Sequence, residues 1–73
     1  MKRIERMIVL TKINKASIAV NCDLIEFIEE TPDTVITMTS NDKIVVTEKM
    51  SEVIEKVVQY KRLVLQLIES KYE

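Results

Sequence analysis

The sequence lacks several residue types on which common protein chemistries depend. It contains no histidine, glycine or tryptophan, one proline, one cysteine, two tyrosines and one phenylalanine. Without histidine, the chain has neither the usual neutral-pH acid–base group nor the commonest metal ligand. Cys22 alone can form neither an internal disulfide nor a thiolate cluster, which fits a reducing compartment and a small buried side chain. So few aromatics are also a poor platform for stacking nucleic-acid bases.

Long apolar runs are missing too. The apolar stretches extend over a few residues, whereas a helix that spans a bilayer needs about 20. Lys2, Arg3, Glu5 and Arg6 lead into a strand-like run rather than into the apolar centre of a signal peptide. We therefore expect a soluble, cytoplasmic protein without membrane insertion.

The length and composition favour one small globular domain, residues 1–73. The chain is 47% hydrophobic and 32% charged, which is a globular composition. At 73 residues, one core supplies only a few kcal/mol of net stability, and oligomerisation is a common remedy. A homo-oligomer is therefore expected on size alone.

The charges are unevenly placed although the net charge is only −1. Residues 1–20 carry five basic side chains and one acid, whereas residues 21–60 carry nine acids and three lysines. Overall neutrality argues against a general nucleic-acid binder. The basic segment is most simply a solvated strand surface, with contact to an acidic partner as the alternative.

The first two-thirds of the chain predicts an antiparallel β unit, residues 7–47. β-branched runs separated by turn residues indicate four to five strands joined by hairpins, in a meander or barrel-like sheet. Asn14-Lys15 is expected to form the first tight turn, since Asn tolerates positive φ, and Pro32 and Asp33 suit the middle of another. The predicted strands are Met7–Ile13, Ala16–Val20, Leu24–Thr31, Thr34–Thr39 and Lys43–Thr47.

Several of these strands carry apolar residues on both faces. Met7 and Val9 alternate with Ile8 and Leu10, and Val45 lies between two further apolar residues. A sheet with water on one face alternates more cleanly. The second face is therefore expected to meet a helix, another subunit or the far wall of a small barrel.

One long helix is predicted to follow, over residues 51–71. Ser51 is a good N-cap, Glu52 and Glu55 suit the first turns, and no Gly or Pro interrupts the run to Lys71. At 100° per residue the apolar face is about 180° wide, more than a surface helix needs. Val53–Val58 is expected to close the core, while the segment beyond Tyr60 extends past the sheet or folds back on it. The predicted oligomer or partner interface comprises Tyr60, Val64, Leu65, Leu67 and Ile68.

Motifs for catalysis or cofactor binding are absent from the sequence. Glu29 and Glu30 are adjacent, but neighbours in a strand point to opposite faces and do not converge. The sequence contains no Gly-rich phosphate loop, nucleophile elbow or metal-ligand spacing. We expect a protein that is not an enzyme and that has no cofactor and no metal site.

Three segments resemble one known family. MIVLTKIN from Met7, VNCDLIEFIEETPDTVITMT from Val20 and KIVVTEKMSEVIEKVVQYKR from Lys43 are similar to the FlbD family of flagellar proteins, also called SwrD. The resemblance covers residues 7–62 and implies a small cytoplasmic motility protein near the flagellar base, an adaptor that supports motor power or swarming through stator proteins. Residues 1–6 precede the usual start of the family and are expected to be either an N-terminal extension or the product of an early start codon. The most specific motif residues are Asn21, Leu24, Ile25, Glu26, Pro32, Asp33 and Thr34.

A second resemblance implies a different class of function. The opening MIVLTK and the order of strands before a helix are similar to the carbon storage regulator CsrA, an RNA-binding dimer. On that reading the chain is a post-transcriptional regulator of flagellar genes, and Lys12, Lys15 and Arg6 contact RNA phosphates. The basic residue that CsrA carries just before its helix has no clear counterpart in Thr47-Glu48-Lys49.

Overall fold

The computed structural model describes residues 6–71, with side chains described for residues 6–66. It has five antiparallel strands followed by one helix, which confirms the predicted α+β class. A short 3₁₀ turn, Cys22–Leu24, separates the second strand from the third. The elements are β1 Met7–Thr11, β2 Ser17–Asn21, β3 Ile25–Glu30, β4 Thr34–Met38, β5 Lys43–Val46 and α1 Met50–Lys71.

The strands form two sheets rather than one continuous meander. β1 pairs with β2 in one sheet, and β3, β4 and β5 pair in that order in the other. The sheets meet where Lys12 pairs with Val46 and the Thr47 N–H donates to the Thr11 carbonyl at 2.8 Å. This junction links the two sheets through their backbones.

In two of the turns a residue other than glycine has a positive φ. Lys15, not Asn14, takes the left-handed conformation in the first hairpin, with φ 74°. The Asn14 side chain instead accepts a hydrogen bond from the Ala16 N–H at 3.0 Å, so Asn14 closes the turn through its side chain. In the β4–β5 turn, Asn41 itself has φ 75°.

A β-bulge explains why the alternation in the third strand breaks. The pairing register shifts between Ile25 and Phe27, which leaves Glu26 as the extra residue. Ile25 and Ile28 consequently both pack against the core, while Phe27 is 55% exposed on the opposite face.

The core lies between the two sheets and the first turns of the helix. Leu10, Ile36 and Val53 are its fully buried side chains, from β1, β4 and α1 respectively. Cys22 is buried, as predicted. Burial, with a smaller contribution from Asp23, raises the pKa of its thiol, so Cys22 packs as a neutral group.

The helix begins one residue earlier than the sequence predicted. It starts at Met50, so Ser51 lies inside the first turn and is not the N-cap. Carboxylates satisfy the first backbone donors instead, since Glu52 accepts from the Lys49 N–H at 2.8 Å and Glu30 accepts from the Met50 N–H at 3.0 Å. Both negative charges also suit the helix N-terminus.

Glu48 joins the first hairpin to the strand–helix connection. Its carboxylate accepts from both the Thr11 N–H and the Thr11 hydroxyl, each at 2.9 Å. Burial alone would raise the pKa of Glu48, but the two hydrogen bonds from Thr11, with smaller contributions from the backbone of Glu48 and from the charge of Lys56, hold the pKa below its ordinary value. The folded structure therefore favours the charged carboxylate.

Replacing Glu48 tests this junction. We expect Glu48→Gln to lower the free energy of unfolding by about 1–2 kcal/mol, because a charge-assisted pair of hydrogen bonds is lost. Urea unfolding monitored by circular dichroism measures the change. Glu29→Gln is the matched control, since Glu29 is exposed on β3. Equal stability of the two variants would contradict the role of Glu48.

The junction also predicts a pH dependence. A carboxyl whose folded pKa is depressed stabilises the fold above its unfolded pKa, and this contribution is lost as the pH falls through the folded pKa. We therefore expect the stability gap between the native chain and Glu48→Gln to be constant near neutral pH and to shrink below about pH 4.5. A difference in the free energy of unfolding that grows as the pH falls would contradict this prediction.

Candidate interaction surface

The first three turns of α1 pack against β1 and β3. At one end Glu30, the last residue of β3, accepts from the Met50 N–H, and at the other end Lys61 Nζ lies 3.5 Å from Asp23 Oδ1, just before β3. Arg6 Nε is 3.6 Å from the second carboxylate oxygen of Asp23. These exposed ion pairs contribute little energy but mark where the helix leaves the domain.

The side chains of α1 that face the domain become less buried from Met50 towards the C-terminal end of the helix. Val53 is fully buried, and Val57 and Tyr60 are partly buried against the core. Val64, the next of these side chains along the helix, is half-buried and outside the core cluster. The predicted closure of the core by the first half of the helix agrees with these positions.

Beyond Lys61 the helix projects from the β unit. Its 22 residues extend about 33 Å at 1.5 Å per residue. The molecule measures 45 Å along its longest axis and 22 and 21 Å along the others. We call residues 62–71 of α1 the distal segment.

The distal segment exposes large apolar side chains. Leu65 is 56% exposed and Leu63 is 52% exposed, on either side of Val64. Single exposed leucines are ordinary, but two of them flanking a half-buried valine form an apolar surface of the kind that marks contact sites.

The predicted interface residues fall into three groups. Tyr60 packs partly against the core and so belongs to the core-closing half. Val64 and Leu65 lie in the distal segment. The side chains of Leu67 and Ile68 lie outside the described residues. The sequence-based prediction omitted Leu63, because Leu63 lies outside the 180° face of the helix that contains the other apolar residues.

Ile54 departs from the predicted pattern. It was placed in the core-closing half, but the structure leaves it 46% exposed. At 100° per residue Ile54 and Leu65 lie on the same side of the helix, 20° apart. Lys61 lies between them on the same side of the helix and is exposed, so the apolar positions on this side are interrupted before the distal segment.

The family-motif residues before β4 shape the backbone. Asn21 accepts from the Asp23 N–H at 3.0 Å and caps the 3₁₀ turn. The Leu24 carbonyl accepts from the Thr39 N–H at 2.9 Å. Ile25 and Glu26 form the bulge that aims Ile25 at the core. The Leu24 side chain is exposed, and nothing in the fold explains it.

The remaining motif residues form the corner between β3 and β4. The Thr31–Pro32 peptide bond is cis, and Thr34 is buried where β4 begins. Pro32, Asp33 and Thr34 line a shallow surface groove of about 380 Å³ with Ile13, Glu30 and Lys49 among its other walls. Because the groove carries charges of both signs, its chemistry does not select one ligand.

The basic residues predicted to contact RNA are not brought to one place. Lys12 and Lys15 lie in the first hairpin turn, whereas Arg6 precedes β1 at its opposite end and pairs with Asp23. Five residues of strand, about 17 Å, separate the two positions.

Among residues 6–66, whose side chains the structure describes, no group of three or more potential ligands is placed to hold a metal ion. No helix in the described part of the chain is long and apolar enough to cross a membrane.

Comparison with known proteins gives one family. The family model FlbD, described as flagellar and swarming motility proteins, matches residues 7–65. The match therefore covers the β unit and the helix as far as Leu65. No curated protein and no solved structure matches the chain.

The difference in burial between the two halves of the helix predicts unequal effects of two side-chain truncations. Val53→Ala should lower the free energy of unfolding by about 2 kcal/mol, because it opens a cavity in the core. Leu65→Ala should change it by less than about 0.5 kcal/mol, as for other exposed positions. Urea unfolding of both variants at low protein concentration provides the comparison. A loss at Leu65 as large as that at Val53 would mean that the distal segment folds onto the domain.

Proposed function

We propose that this chain, which belongs to the FlbD family of flagellar and swarming motility proteins, is a non-enzymatic adaptor that supports flagellar motor power or swarming. It acts in the cytoplasm near the flagellar base, as a homo-oligomer whose partner is a stator or other motor protein. The observation that carries the proposal is the exposed apolar surface of the distal segment.

The shape of the molecule supports an adaptor role. A compact β unit anchors the helix, and the helix carries Leu63 and Leu65 away from that unit. An amphipathic helix that places its apolar side chains in a partner's groove is a common mode of protein recognition. Because the core does not use these two leucines, partner binding is free to use them without unfolding the domain.

The anchoring of the helix supports the same role. Val53 is buried in the core, and ion-pair and hydrogen-bond contacts hold both ends of the first three turns. The direction of the projecting part is consequently fixed by the domain. Such a rigid arm loses little conformational entropy when it binds.

Charge placed on the distal segment tests the proposal. Leu63→Glu with Leu65→Glu should lower motor torque in a strain that carries only this variant, because a carboxylate in an apolar contact is left desolvated. Torque of tethered cells is measured separately from filament number, which should not change. Circular dichroism of the purified variant checks that the domain is folded.

Gln59→Glu with Gln66→Glu is the matched control, since it adds two carboxylates to exposed polar positions of the same helix. We expect this control to keep normal torque. Normal torque in the Leu63→Glu, Leu65→Glu strain, with the variant present at its usual level, would rule out the distal segment as the site of action.

A further inference from the structure

The second strand has a pairing partner on one side only. β2 pairs with β1 over its whole length, and β1 meets the end of β5 on its other side, where the Thr47 N–H donates to the Thr11 carbonyl. Of the residues that the structure describes, none pairs with the outer edge of β2. Ser17 and Ala19 are exposed, and the helix packs against β1 and β3 instead. The outer edge of β2 is therefore open.

Hydrogen bonds at both ends of the hairpin identify the backbone groups at this edge. The Lys12 N–H donates to the Ala16 carbonyl at 2.8 Å, and the Cys22 N–H donates to the Arg6 carbonyl at 2.9 Å. In an antiparallel pair, residues that exchange hydrogen bonds alternate with residues that do not. The even-numbered residues of β2 therefore direct their backbone groups at β1, and the odd-numbered ones direct theirs at the open edge. These odd-numbered residues are Ser17, Ala19 and Asn21.

β2 carries none of the features that protect an exposed edge from pairing. Its five residues, Ser17–Asn21, include no charge and no proline, and its register with β1 has no bulge. β3, at the other end of the strand order, has a bulge and three exposed glutamates, Glu26, Glu29 and Glu30. Charges and bulges on an edge strand hinder its pairing with another chain. Of these two edges, β2 is the one at which strand pairing is favoured.

The sequence of β2 is complementary to itself in antiparallel orientation. In either direction the strand has a polar residue, a β-branched apolar residue, alanine, a β-branched apolar residue and a polar residue, in the order Ser17, Ile18, Ala19, Val20 and Asn21. Two such strands paired about their centres place apolar side chains opposite apolar ones. The nearest charges, Lys15 before the strand and the ion pair of Arg6 with Asp23 after it, lie at opposite ends. Antiparallel pairing therefore sets neither of them against its own copy.

We infer that β2 of one copy pairs in antiparallel orientation with β2 of a second copy, about a two-fold axis at Ala19. The inference rests on the self-association included in the proposed function and assigns its surface. Each Ala19 N–H donates to the Ala19 carbonyl of the second copy, and each Asn21 N–H donates to the Ser17 carbonyl of the second copy. The two hairpins then form one four-stranded sheet, in which the two β2 strands are central.

This pairing also brings apolar side chains together on both faces of the joined sheet. Ile18, which is half-buried at the edge of the core, lies opposite Val20 of the second copy. On the outer face the two Ala19 side chains are adjacent, and they continue the apolar row that begins at Val9, which is 58% exposed. A contact between identical surfaces closes after two copies. The predicted assembly is therefore a dimer.

Charges placed at position 19 test the two-fold axis, because residue 19 is then opposite its own copy. Ala19→Lys or Ala19→Glu sets two like charges about 5 Å apart, so either variant alone should dimerise about tenfold more weakly than the native chain. An equimolar mixture sets opposite charges there and should form a mixed dimer at least as stable as the native one. Sedimentation of the full chain measures dimerisation, native mass spectrometry identifies the mixed dimer, and circular dichroism checks that each variant is folded.

Val9→Lys is the matched control, because it makes the same change in net charge at an exposed residue in the same row. Its side chain lies about 14 Å from its own copy across the axis, at about 4.8 Å per strand, so the repulsion is screened and dimerisation should stay within about twofold of the native value. A dimer that is unaffected by Ala19→Lys, or variants that do not combine on mixing, would overturn the β2 contact. A native chain that is monomeric at about 100 μM would overturn self-association itself. The torque of the Leu63→Glu, Leu65→Glu strain tests the distal segment independently.

Discussion

Two hydrogen bonds from Thr11 to the Glu48 carboxylate stabilise the junction between the two sheets of this small fold. Each sheet is completed by local hairpins, but only a short junction links one sheet to the other. Glu48 stabilises that junction two residues before the helix begins at Met50. The position of Val53 over the core follows from this starting point.

From that start, the helix packs against β1 and β3 over its first three turns. Contacts at Glu30 and Asp23 bracket β3, and eleven helical steps from Met50 to Lys61 cover about 17 Å. Beyond Lys61, Val64 on the side that faces the domain is half-buried, while Leu63 and Leu65 are exposed. The helix is 22 residues long in a molecule that measures 45 × 22 × 21 Å, and it exposes Leu63 and Leu65 near its far end. Membership of a motility family gives that exposure a biological setting.

Much of this architecture was predictable because periodicity and turn chemistry are local. The hairpins, the helix and its core-closing half follow from alternation, Asn and Pro positions and the 3.6-residue repeat. The bulge at Glu26, the start at Met50 and the exposure of Ile54 were not predictable. Each depends on a contact distant in sequence: the pairing of β3 with β4, the capping carboxylate of Glu30, and the strand over which the helix lies. The exposure of Leu63 was not predictable for the same reason, because it depends on where along the helix the contacts with the core end.

The central claim is that the domain closes with the first half of the helix and leaves the second half free. Amide hydrogen exchange along α1, measured on dilute full-length protein, tests it most directly. The account predicts that amides of residues 54–60 exchange as slowly as those of the core strands, and that amides beyond Lys61 exchange much faster. Uniform slow exchange to the end of the helix, in protein shown to be monomeric, would contradict it.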